Sequence, residues 1–446
     1  MAKRYFIETF GCQMNDLDSE KIAGSLSHSG MEPAADASEA DVIILNTCSV
    51  REKAVQKVYT RLGEIKQYKE LRKDLLVGVV GCMTQLEKDR ILNRAPYVNI
   101  LAGPQKGHVM GHLVELGENS PVPIVDLRTD ESPSPLRAPY ILRGSPWRAN
   151  VTISEGCNRQ CAFCVVPLAR GKERVRDSAD ILREIEDLAA HGYREIVLLG
   201  QTVNSYWDRS DNNVSFAELL RRAAKIEGIK RIRFTSPHPS DFSDELLEVM
   251  VSCEPVCNHI HLPVQSGSTR VLKAMRRGYT RESYLKIIRK IQNAPRAIAI
   301  STDLIAGFPG ESESDFQDTL SLLDEVQYDS AFSFKYSPRP HTAAVDFPGE
   351  ISEEEKGRRL DQIQQKQKLI QYNRNSTYVG RQFEVLVEGN ARSRFRFMGR
   401  LSNNKIVNFD GPEAQLGRFL KVEITGFSPN SLKGVWIHSP DLGEKS

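Results

Sequence analysis

Three short apolar runs near the start of the chain each lead into a cysteine. The runs are RYFIETF, DVIILNT and LLVGVVG, and the cysteines are Cys12, Cys48 and Cys82. Stretches with helical spacing follow, for example from Asp18 to His28 and from Val50 to Lys69. This alternation predicts a small α/β domain with a parallel sheet. Because loops after parallel strands gather at one edge of the sheet, we expect the three cysteines to converge.

Strand-like and helix-like stretches alternate a second time from Trp147 to about His341. The strand candidates are ANVTISE, REIVLLG, KRIRFTS, HIHLPVQ, AIAISTDLIAG and SAFSFKY. About six βα units predict a partial or complete (β/α) barrel with its active site over the carboxyl ends of the strands. A charged stretch that favours a helix follows, from Ser352 to about Asn373.

The two remaining segments differ in composition from these α/β regions. Pro, Ser and Asp are frequent from Asn119 to Ser145, which predicts a linker. The last part of the chain has short strand candidates broken by Gly, Asn and Pro, which predict a small β-barrel of about five strands. We therefore expect an α/β domain over 3–120, a linker over 121–146, the (β/α) barrel over 147–374 and the small β-barrel over 375–440.

The chain length of 446 residues agrees with several domains. With 40% apolar and 26% charged residues, the composition is that of a soluble globular protein. A net charge of +2 neither requires nor excludes a nucleic-acid partner, so RNA would have to bind at local basic patches. The N-terminus lacks a secretory signal, and no apolar run reaches the ~20 residues of a membrane span. We expect a cytoplasmic, reducing location without membrane contact, where the eight cysteines are metal ligands or free thiols.

Cys157, Cys161 and Cys164 form a CxxxCxxC array in a single loop, SEGCNRQCAFCVVP, after the first predicted barrel strand. Three thiolates leave one iron of a [4Fe–4S] cluster without a protein ligand, which suits a cluster that activates a substrate. A zinc site is the alternative, but zinc usually takes four ligands and the sequence offers no fourth donor nearby. Phe163, just before the last cysteine, is positioned to flank a bound adenine.

The array resembles the radical S-adenosylmethionine (SAM) superfamily. This resemblance implies that SAM binds at the open iron and is cleaved to a 5′-deoxyadenosyl radical. HLPVQSGS and DLIAGFPGE resemble the SAM-contacting strand ends of the superfamily, which implies contacts from Gln265, Ser266, Gly307 and Gly310. The alternative for the two glycines is that they only form turns between strand and helix.

Each of the three N-terminal cysteines, taken singly, is typical of a small buried residue. Three of them in register, each opening a helix, favour metal ligation, because helix N-termini favour anionic ligands and lower thiol pKa values. The stretches TFGCQMND, ILNTCSVREKA and VVGCMTQ, together with GCNRQCAFCVVPLARGKERVR and FTSPHP, resemble the methylthiotransferase family nearly end to end. The resemblance implies that Cys12, Cys48 and Cys82 bind a second [4Fe–4S] cluster, at which sulfur is handled and methylated by one SAM. A radical from another SAM then activates the substrate carbon.

Residues Asn390 to Lys405 contain five basic residues and no acidic one. On a strand, Arg392, Arg394 and Arg396 would share one face and the intervening aromatic residues the other, which suits phosphate contact and base stacking. The alternative is a solvated charged face with Phe395 and Phe397 in the core. The segment resembles the TRAM domain, a small RNA-binding β-barrel, and this implies a tRNA partner.

Three substrates of the methylthiotransferase family remain open: an isopentenylated adenosine beside the tRNA anticodon, a threonylcarbamoylated adenosine at the same place, and an aspartate in a ribosomal protein. GCQMN, NTCSVREKA and LLGQTVNSY are most similar to the isopentenyladenosine branch. The resemblance also implies an electron donor such as flavodoxin or ferredoxin, and iron–sulfur assembly or carrier proteins. A non-catalytic RNA-binding cluster protein is the other class, and the intact CxxxCxxC array argues against it. Cys253 and Cys257 match neither cysteine set and are interpreted as ordinary thiols.

Overall fold

The structure is a computed structural model that describes residues 2–49, 52–129, 138–210, 213–391, 395–411 and 416–437. Over these ranges the chain forms a parallel α/β sheet, then an incomplete barrel of parallel strands with helices outside it, and last a closed β-barrel. The predicted fold class is therefore confirmed. Within the same ranges no helix is long and apolar enough to cross a membrane.

The N-terminal domain is a parallel sheet with helices on both faces. Its strands are β1 (Arg4–Thr9), β2 (Glu32–Pro33), β3 (Val42–Thr47), β4 (Leu76–Gly81), β5 (Ile100–Ala102) and β6 (Ile124–Asp126). Its helices are α1 (Gln13–His28), α2 (Glu52–Leu71), α3 (Cys82–Arg94) and α4 (Met110–Glu118). The strand order is β2-β1-β3-β4-β5-β6, and every pairing is parallel.

The apolar runs of the sequence correspond to β1, β3 and β4, the central strands of this sheet. The strands β2, β5 and β6 are only two or three residues long, so no periodic pattern marks them. Strand β6 lies inside the segment whose composition predicts a linker. The first part of that segment therefore completes the sheet as an edge strand.

The middle of the chain contains the strands and helices of the incomplete barrel. The strands are β7 (Arg148–Thr152), β8 (Ser154–Glu155), β9 (Arg174–Val175), β10 (Glu195–Leu199), β11 (Trp207–Asp208), β12 (Val214–Ser215), β13 (Arg231–Phe234), β14 (His259–His261), β15 (Ala299–Ala306) and β16 (Ser330–Lys335). The helices are α5 (Val166–Arg170), α6 (Ser178–Ala190), α7 (Phe216–Ala223), α8 (Asp244–Ser252), α9 (Thr269–Ala274), α10 (Arg281–Gln292), α11 (Glu313–Val326) and α12 (Glu353–Ser376). Short 3₁₀ helices lie in the N-terminal domain at Ala37–Glu39 and Pro104–Val109. Others lie in the barrel region at Val203–Ser205, Pro239–Asp241 and Ala343–Asp346.

Two parallel sheets form this barrel, β7-β10-β13 and β14-β15-β16. A parallel bridge between Ile232 and Val256 links them. Along β10, β13, β14 and β15 alternate residues enter the core shared with the outer helices, as Ile196 and Ile300 do. The intervening residues therefore point into the barrel.

Helix α1 of the N-terminal domain covers the inner face of β10. Met14 and Leu17 of α1 form one apolar cluster with Val197 and Leu199. The barrel is open on this side, and the neighbouring domain supplies the missing wall. A second contact between the domains is an ion pair of 2.5 Å between Arg339 Nη1 and Glu52 Oε2.

The C-terminal domain is a closed barrel with strand order β17-β18-β19-β21-β20, as expected from the sequence. The strands are β17 (Gln382–Asn390), β18 (Phe397–Arg400), β19 (Ile406–Asp410), β20 (Phe419–Phe427) and β21 (Leu432–Trp436). This barrel contacts the amino ends of the larger barrel's strands. Arg231 donates to the carbonyls of Arg400 and Glu384, and Arg233 donates to those of Leu401 and Ser402, at 2.7–3.1 Å.

We predict that Leu17→Ala loosens the contact between the N-terminal domain and the barrel. Leu17 is 1% exposed, and a leucine-to-alanine change at such a site costs about 2–5 kcal/mol. Hydrogen exchange should accelerate in both α1 and β10. Leu26→Ala, a matched change at a buried residue that contacts only its own domain, should leave β10 unaffected. Unchanged exchange in β10 of Leu17→Ala would contradict the packing described.

Candidate functional site

The three N-terminal cysteines lie at the carboxyl ends of adjacent strands. Thr9 of β1 pairs with Asn46 of β3, and Thr47 pairs with Gly81 of β4. Cys48 and Cys82 follow their strand ends directly and Cys12 follows β1 after two residues, and neighbouring strands are about 4.8 Å apart. The convergence expected from the sequence is therefore a result of the parallel register.

A buried pair of amides fixes the loops that carry Cys12 and Cys48. Asn15 Nδ2 donates to Asn46 Oδ1 at 3.0 Å and to the Thr47 carbonyl at 3.1 Å. In return, Asn46 Nδ2 donates to the Asn15 carbonyl at 2.8 Å. Asn15 Oδ1 also accepts from the amide of Cys12, the N-cap residue of α1, at 3.4 Å. Because both side chains are fully buried, these bonds fix the loops strongly.

Cys82 starts α3 after a glycine that no other residue could replace. Gly81 has φ 107°, and an added Cβ would lie 2.4 Å from the Thr47 carbonyl oxygen. Burial is the main cause that raises the pKa of Cys82 to about 12; the charge of Arg170 opposes the rise, and the thiols of Cys48 and Cys12 add to it. The parallel register of β1, β3 and β4 is the geometric reason why the three thiols converge. Binding a metal there must release a proton from Cys82.

Cys157, Cys161 and Cys164 lie in a loop over the carboxyl end of the barrel strands. Two backbone hydrogen bonds hold the loop at Ala162. The Ala162 amide donates to the Met275 carbonyl at 3.0 Å, and the Ala162 carbonyl accepts from the Ala344 amide at 2.8 Å. Burial raises the pKa of Cys164 to about 12; a backbone hydrogen bond involving Val166 opposes this rise, and the nearby Cys161 and Cys157 thiols add to it. The amide of Cys164 donates to the Cys161 carbonyl at 3.1 Å, so the second half of the array is a tight turn.

Donors from other barrel elements contact these sulfurs. Arg277 Nη1 lies 3.3 Å from Cys161 Sγ, and the Thr202 hydroxyl lies 3.6 Å from Cys157 Sγ. Arg159 lies inside the loop and forms an ion pair with Asp241. Cationic and hydroxyl donors around thiolates stabilise negative charge, as a ligated iron–sulfur cluster requires.

Both cysteine sets fit [4Fe–4S] clusters in the chemistry of their donors. Each set offers three sulfur ligands. A [4Fe–4S] cluster with three cysteine ligands binds one thiolate at each of three irons, so the thiolates lie around the cluster. In the part of the chain that the structure describes, no three His, Cys, Asp or Glu side chains are arranged to hold a single metal ion. Three thiolates per set are the donors that a [4Fe–4S] cluster with one open iron takes.

The residues expected to contact SAM lie around the same loop. Phe163 packs beside Met275, Phe308 and Tyr336. Gln265 is buried with φ 75°, and its amide donates to the Asp303 carbonyl at 2.9 Å. These positions agree with a role near the cluster, and their contacts with SAM stay a prediction.

The remaining three predicted SAM-contact residues already have partners within the fold. The Ser266 hydroxyl lies 3.5 Å from that of Thr319 and accepts from Ser268 N at 3.2 Å. The Gly307 amide donates to Glu311 Oε2 at 2.7 Å, and the Gly310 amide donates to a backbone carbonyl. For the two glycines the turn-forming alternative stays open, and a SAM contact of all three residues remains a prediction.

Arg170 lies between the two cysteine sets, although no motif in the sequence singles it out. It ends helix α5, six positions after Cys164, and is 3% exposed. Its Nη2 binds Asp18 of α1 at 2.7 Å, and its Nη1 binds Glu155 of the barrel at 2.9 Å. Burial alone would lower the pKa of Arg170, but the charges of Cys82, Asp18, Glu155 and Cys12 together raise it well above its usual value.

The two carboxylates bound by Arg170 differ electrostatically. Burial raises the pKa of Asp18, and the charges of Arg170 and Lys21 offset this only in part. Burial would also raise the pKa of Glu155, but Arg170, Lys21 and Arg174 together outweigh it and lower the pKa. Glu155 is therefore the firmly ionised partner, and Arg170 is the cation that makes the burial of both carboxylates possible.

His238, in the stretch FTSPHP, carries an unsatisfied buried donor near Arg277. Its Nδ1 accepts from the Ser240 amide at 3.2 Å, so the proton of the neutral ring is assigned to Nε2. Burial, with smaller effects from Arg277 and Arg159, lowers the pKa of His238 to about 2. Its Nε2 has no hydrogen-bond partner among the described residues.

The predicted basic strand of the C-terminal barrel differs in part from expectation. Strand β18 begins at Phe397, so Arg396 precedes it, while Arg392 and Arg394 lie outside the described residues. Phe397 is 4% exposed and packs in the barrel core, so it is not available for stacking bases. The exposed Arg396 lies over the Phe397 ring at 5.4 Å.

Cys253 and Cys257 lie in the loop before β14, away from both sets. Cys257 is buried beside Arg231 and Arg233, and Cys253 is partly buried. Their interpretation as ordinary thiols stays a prediction.

Three family models match consecutive parts of the chain. Residues 4–103 match the Uncharacterized protein family UPF0004, residues 151–323 the Radical SAM superfamily, and residues 376–437 the TRAM domain.

Curated relatives match the chain nearly end to end. A tRNA-2-methylthio-N(6)-dimethylallyladenosine synthase from Solibacter usitatus is 46% identical over 97% of this chain and 98% of its own length. Proteins with the same name from Carboxydothermus hydrogenoformans and Yersinia enterocolitica are each 43% identical. They cover 98% and 99% of this chain, and 99% and 94% of their own lengths.

Solved structures share the fold at low sequence identity. The radical S-adenosylmethionine methyltransferase TsrM from Kitasatospora setae is 14% identical, with a TM-score of 0.54 and coverage of 77% of each chain. The cobalamin-dependent radical enzyme OxsB is 14% identical, with a TM-score of 0.51 and coverage of 83% of this chain and 56% of the other.

We predict that Arg170→Met destabilises the protein by about 3–5 kcal/mol, because two buried carboxylates lose the cation they share, and Arg174 and Lys21 compensate them only in part. The triple variant Asp18→Asn/Glu155→Gln/Arg170→Met should recover part of this loss, since the two buried carboxylates become neutral while Arg174 and Lys21 lose these partners. Urea unfolding followed by circular dichroism measures both. Arg221→Met, which breaks a more exposed pair with Glu218, should cost about 1 kcal/mol or less. Equal losses for Arg170→Met and Arg221→Met would contradict the buried bridge.

Proposed function

The chain belongs to the radical SAM methylthiotransferase family, and we propose that it adds a methylthio group to C2 of N6-isopentenyladenosine beside the tRNA anticodon. The enzyme class, a tRNA methylthiotransferase, follows from the named relatives at 42–46% identity over nearly the full length. The choice of isopentenyladenosine over the threonylcarbamoyl base or a ribosomal-protein aspartate rests on the names of the same relatives. It also rests on the motifs GCQMN and LLGQTVNSY.

The observation that carries the proposal is that two separate three-cysteine sets lie on either side of Arg170. Cys157, Cys161 and Cys164 are proposed to hold the cluster that binds SAM, and Cys12, Cys48 and Cys82 the second cluster. When bound, these groups supply a 5′-deoxyadenosyl radical at the first site and a methylatable sulfur at the second. One set for each task agrees with a reaction that needs both radical and sulfur chemistry.

The chain's own residues hold the two sites at fixed separation. Arg170 binds α1, which begins at Cys12, and also binds Glu155, two residues before Cys157. Arg277 supports negative charge on Cys161. Helix α1 closes the open side of the barrel with Met14 and Leu17 and so limits the entry of water to the space between the sites.

The partners follow from the same assignment. The TRAM match and the names of the relatives support tRNA as the macromolecular substrate. Reductive cleavage of SAM needs an electron, so we propose a donor such as flavodoxin or ferredoxin. Cluster insertion calls for iron–sulfur assembly or carrier proteins. A cytoplasmic location agrees with a tRNA substrate and reduced cysteines.

We predict that the two cysteine sets have separable functions. Reconstituted parent protein should contain about eight irons per chain, and alanine replacement of either whole set should remove about half. The variant Cys12→Ala/Cys48→Ala/Cys82→Ala should still form 5′-deoxyadenosine from SAM and a strong reductant, but no 2-methylthio product. The variant Cys157→Ala/Cys161→Ala/Cys164→Ala should form neither, because it lacks the radical site.

Chromatography with mass spectrometry measures both products, and Cys253→Ala serves as a control at a cysteine outside the two sets. A 2-methylthio product from the N-terminal variant would refute the assignment of the second site. Product formed on threonylcarbamoylated but not on isopentenylated tRNA would refute the proposed substrate and keep the enzyme class.

We predict that Arg392→Ala/Arg394→Ala/Arg396→Ala weakens tRNA binding and flattens its salt dependence by roughly one unit of slope per lost phosphate contact. Cleavage of SAM without tRNA should persist, because the radical site lies in another domain. Arg183→Ala/Arg289→Ala/Lys290→Ala removes the same charge from exposed positions on α6 and α10 and should leave binding unchanged. Equal affinities of the first variant and the parent across a salt series would disprove the basic surface.

A further inference from the structure

The inner face of the incomplete barrel carries a polar and aromatic group on its last three strands. His261 lies on β14, Asp303 on β15 and Phe332 on β16. Asp303 pairs in register with Phe332, and their neighbours Ile260 and Leu304 pack outward with the helices. Because successive side chains alternate across a sheet, His261, Asp303 and Phe332 all point into the barrel.

A chain of hydrogen bonds orients the side chains of this group. Ser301 Oγ lies 2.9 Å from His259 Nε2 and 2.9 Å from His261 Nδ1. His261 Nε2 lies 3.3 Å from Asp303 Oδ2. The other carboxylate oxygen, Asp303 Oδ1, has no hydrogen-bond partner among the described residues. One acceptor oxygen on a fixed carboxylate is thus left for a ligand.

Phe332 is unusual because it points into a barrel and is nevertheless 53% exposed. Its ring contacts that of His261 edge-on, with the centroids 6.0 Å apart. An inward residue can be exposed only where the interior is open. Helix α1 fills the interior beside β10, so the open part lies beside β14, β15 and β16.

This opening lies between the radical site and the C-terminal barrel. Two residues beyond Asp303 on the same face, Ile305 packs against the apolar cluster that contains Ala162 of the cysteine loop. Two residues along a strand span about 7 Å, so Asp303 lies about 7 Å along β15 from the residue that packs beside the loop. At the opposite end, Arg233 binds carbonyls of the C-terminal barrel. A flat ligand in the opening would therefore lie next to the radical site.

We propose that Asp303 and Phe332, oriented by His261, bind the target adenine, with the ring stacked on Phe332 and the N6–H donated to Asp303 Oδ1. This assignment rests on the proposed function and names the residues that recognise its base. An N6-alkylated adenine keeps one exocyclic N–H, and a carboxylate is the strongest acceptor for it. Bases turned out of a helix are commonly bound by aromatic stacking together with hydrogen bonds to their edges.

The test compares two anticodon stem-loop RNAs, one with N6-isopentenyladenosine and one with N6-methyl-N6-isopentenyladenosine, which lacks the N6–H. The full chain with both clusters reconstituted should bind the second RNA about ten- to a hundredfold more weakly, the range for a hydrogen bond to a charged group. Asp303→Ala should bind both RNAs equally. Phe332→Ala should lose about five- to a hundredfold affinity for both, and Phe332→Trp should restore it.

Lys335→Ala, a change on the outer face of the same strand, is the matched control and should keep the parent's affinities. Full discrimination between the RNAs by Asp303→Ala would overturn the proposal. So would loss of SAM affinity with unchanged RNA affinity in both variants, because the group would then belong to the cofactor. Turnover of isopentenylated tRNA by the parent is measured separately, so a failure of the proposed function is seen independently of these binding results.

Discussion

The relation between the two cysteine sets depends on one buried ion-pair bridge. A guanidinium removed from water is tolerated only where carboxylates compensate for its lost hydration, and Arg170 takes one carboxylate from each of two domains. Its planar fork fixes the direction of Asp18 and Glu155 as well as their distance. Helix α1 can then press Leu17 against the inner face of the barrel, where shape complementarity adds to the charge interaction. Neither domain alone satisfies this set of groups, so the ion pairs and the packing favour the docked arrangement together.

Each cysteine set is assembled by hydrogen bonds that do not involve sulfur. In the N-terminal domain, Asn15 and Asn46 join two strand ends through their amides, and Thr84 donates to the carbonyls of Gly81 and Ala102. In the barrel, backbone bonds from the α9 end and from Ala344 hold the cysteine loop. The framework around the ligands is thus formed by the polypeptide itself, which reduces the conformational entropy that must be lost when a cluster binds.

Much of this architecture could be read from the sequence, because long apolar runs and the spacing of cysteines are local signals. The central strands β1, β3 and β4 and the placement of Cys12, Cys48 and Cys82 were predictable in this way. The short strands β2, β5 and β6 were not predictable, since two or three residues are too few to show an alternation of apolar and polar positions. Arg170 could not be found either, because its partners are far away in sequence and only tertiary structure brings them together. Phe397 shows the same limit, as alternation cannot tell which face of a strand is buried.

The joint between the larger barrel and the C-terminal barrel combines hydrogen bonds to main-chain oxygens with side-chain contacts, such as those of Arg231 with Glu384 and Phe419. Arg231 and Arg233 donate to carbonyls of residues 384, 400, 401 and 402, and every amino acid provides the same acceptor. Outside the side-chain contacts, residues of β17 and β18 can therefore change without loss of the hydrogen bonds to Arg231 and Arg233. Such an attachment leaves the RNA-facing module free to drift in sequence, so that tRNA preference and catalytic core can evolve at different rates.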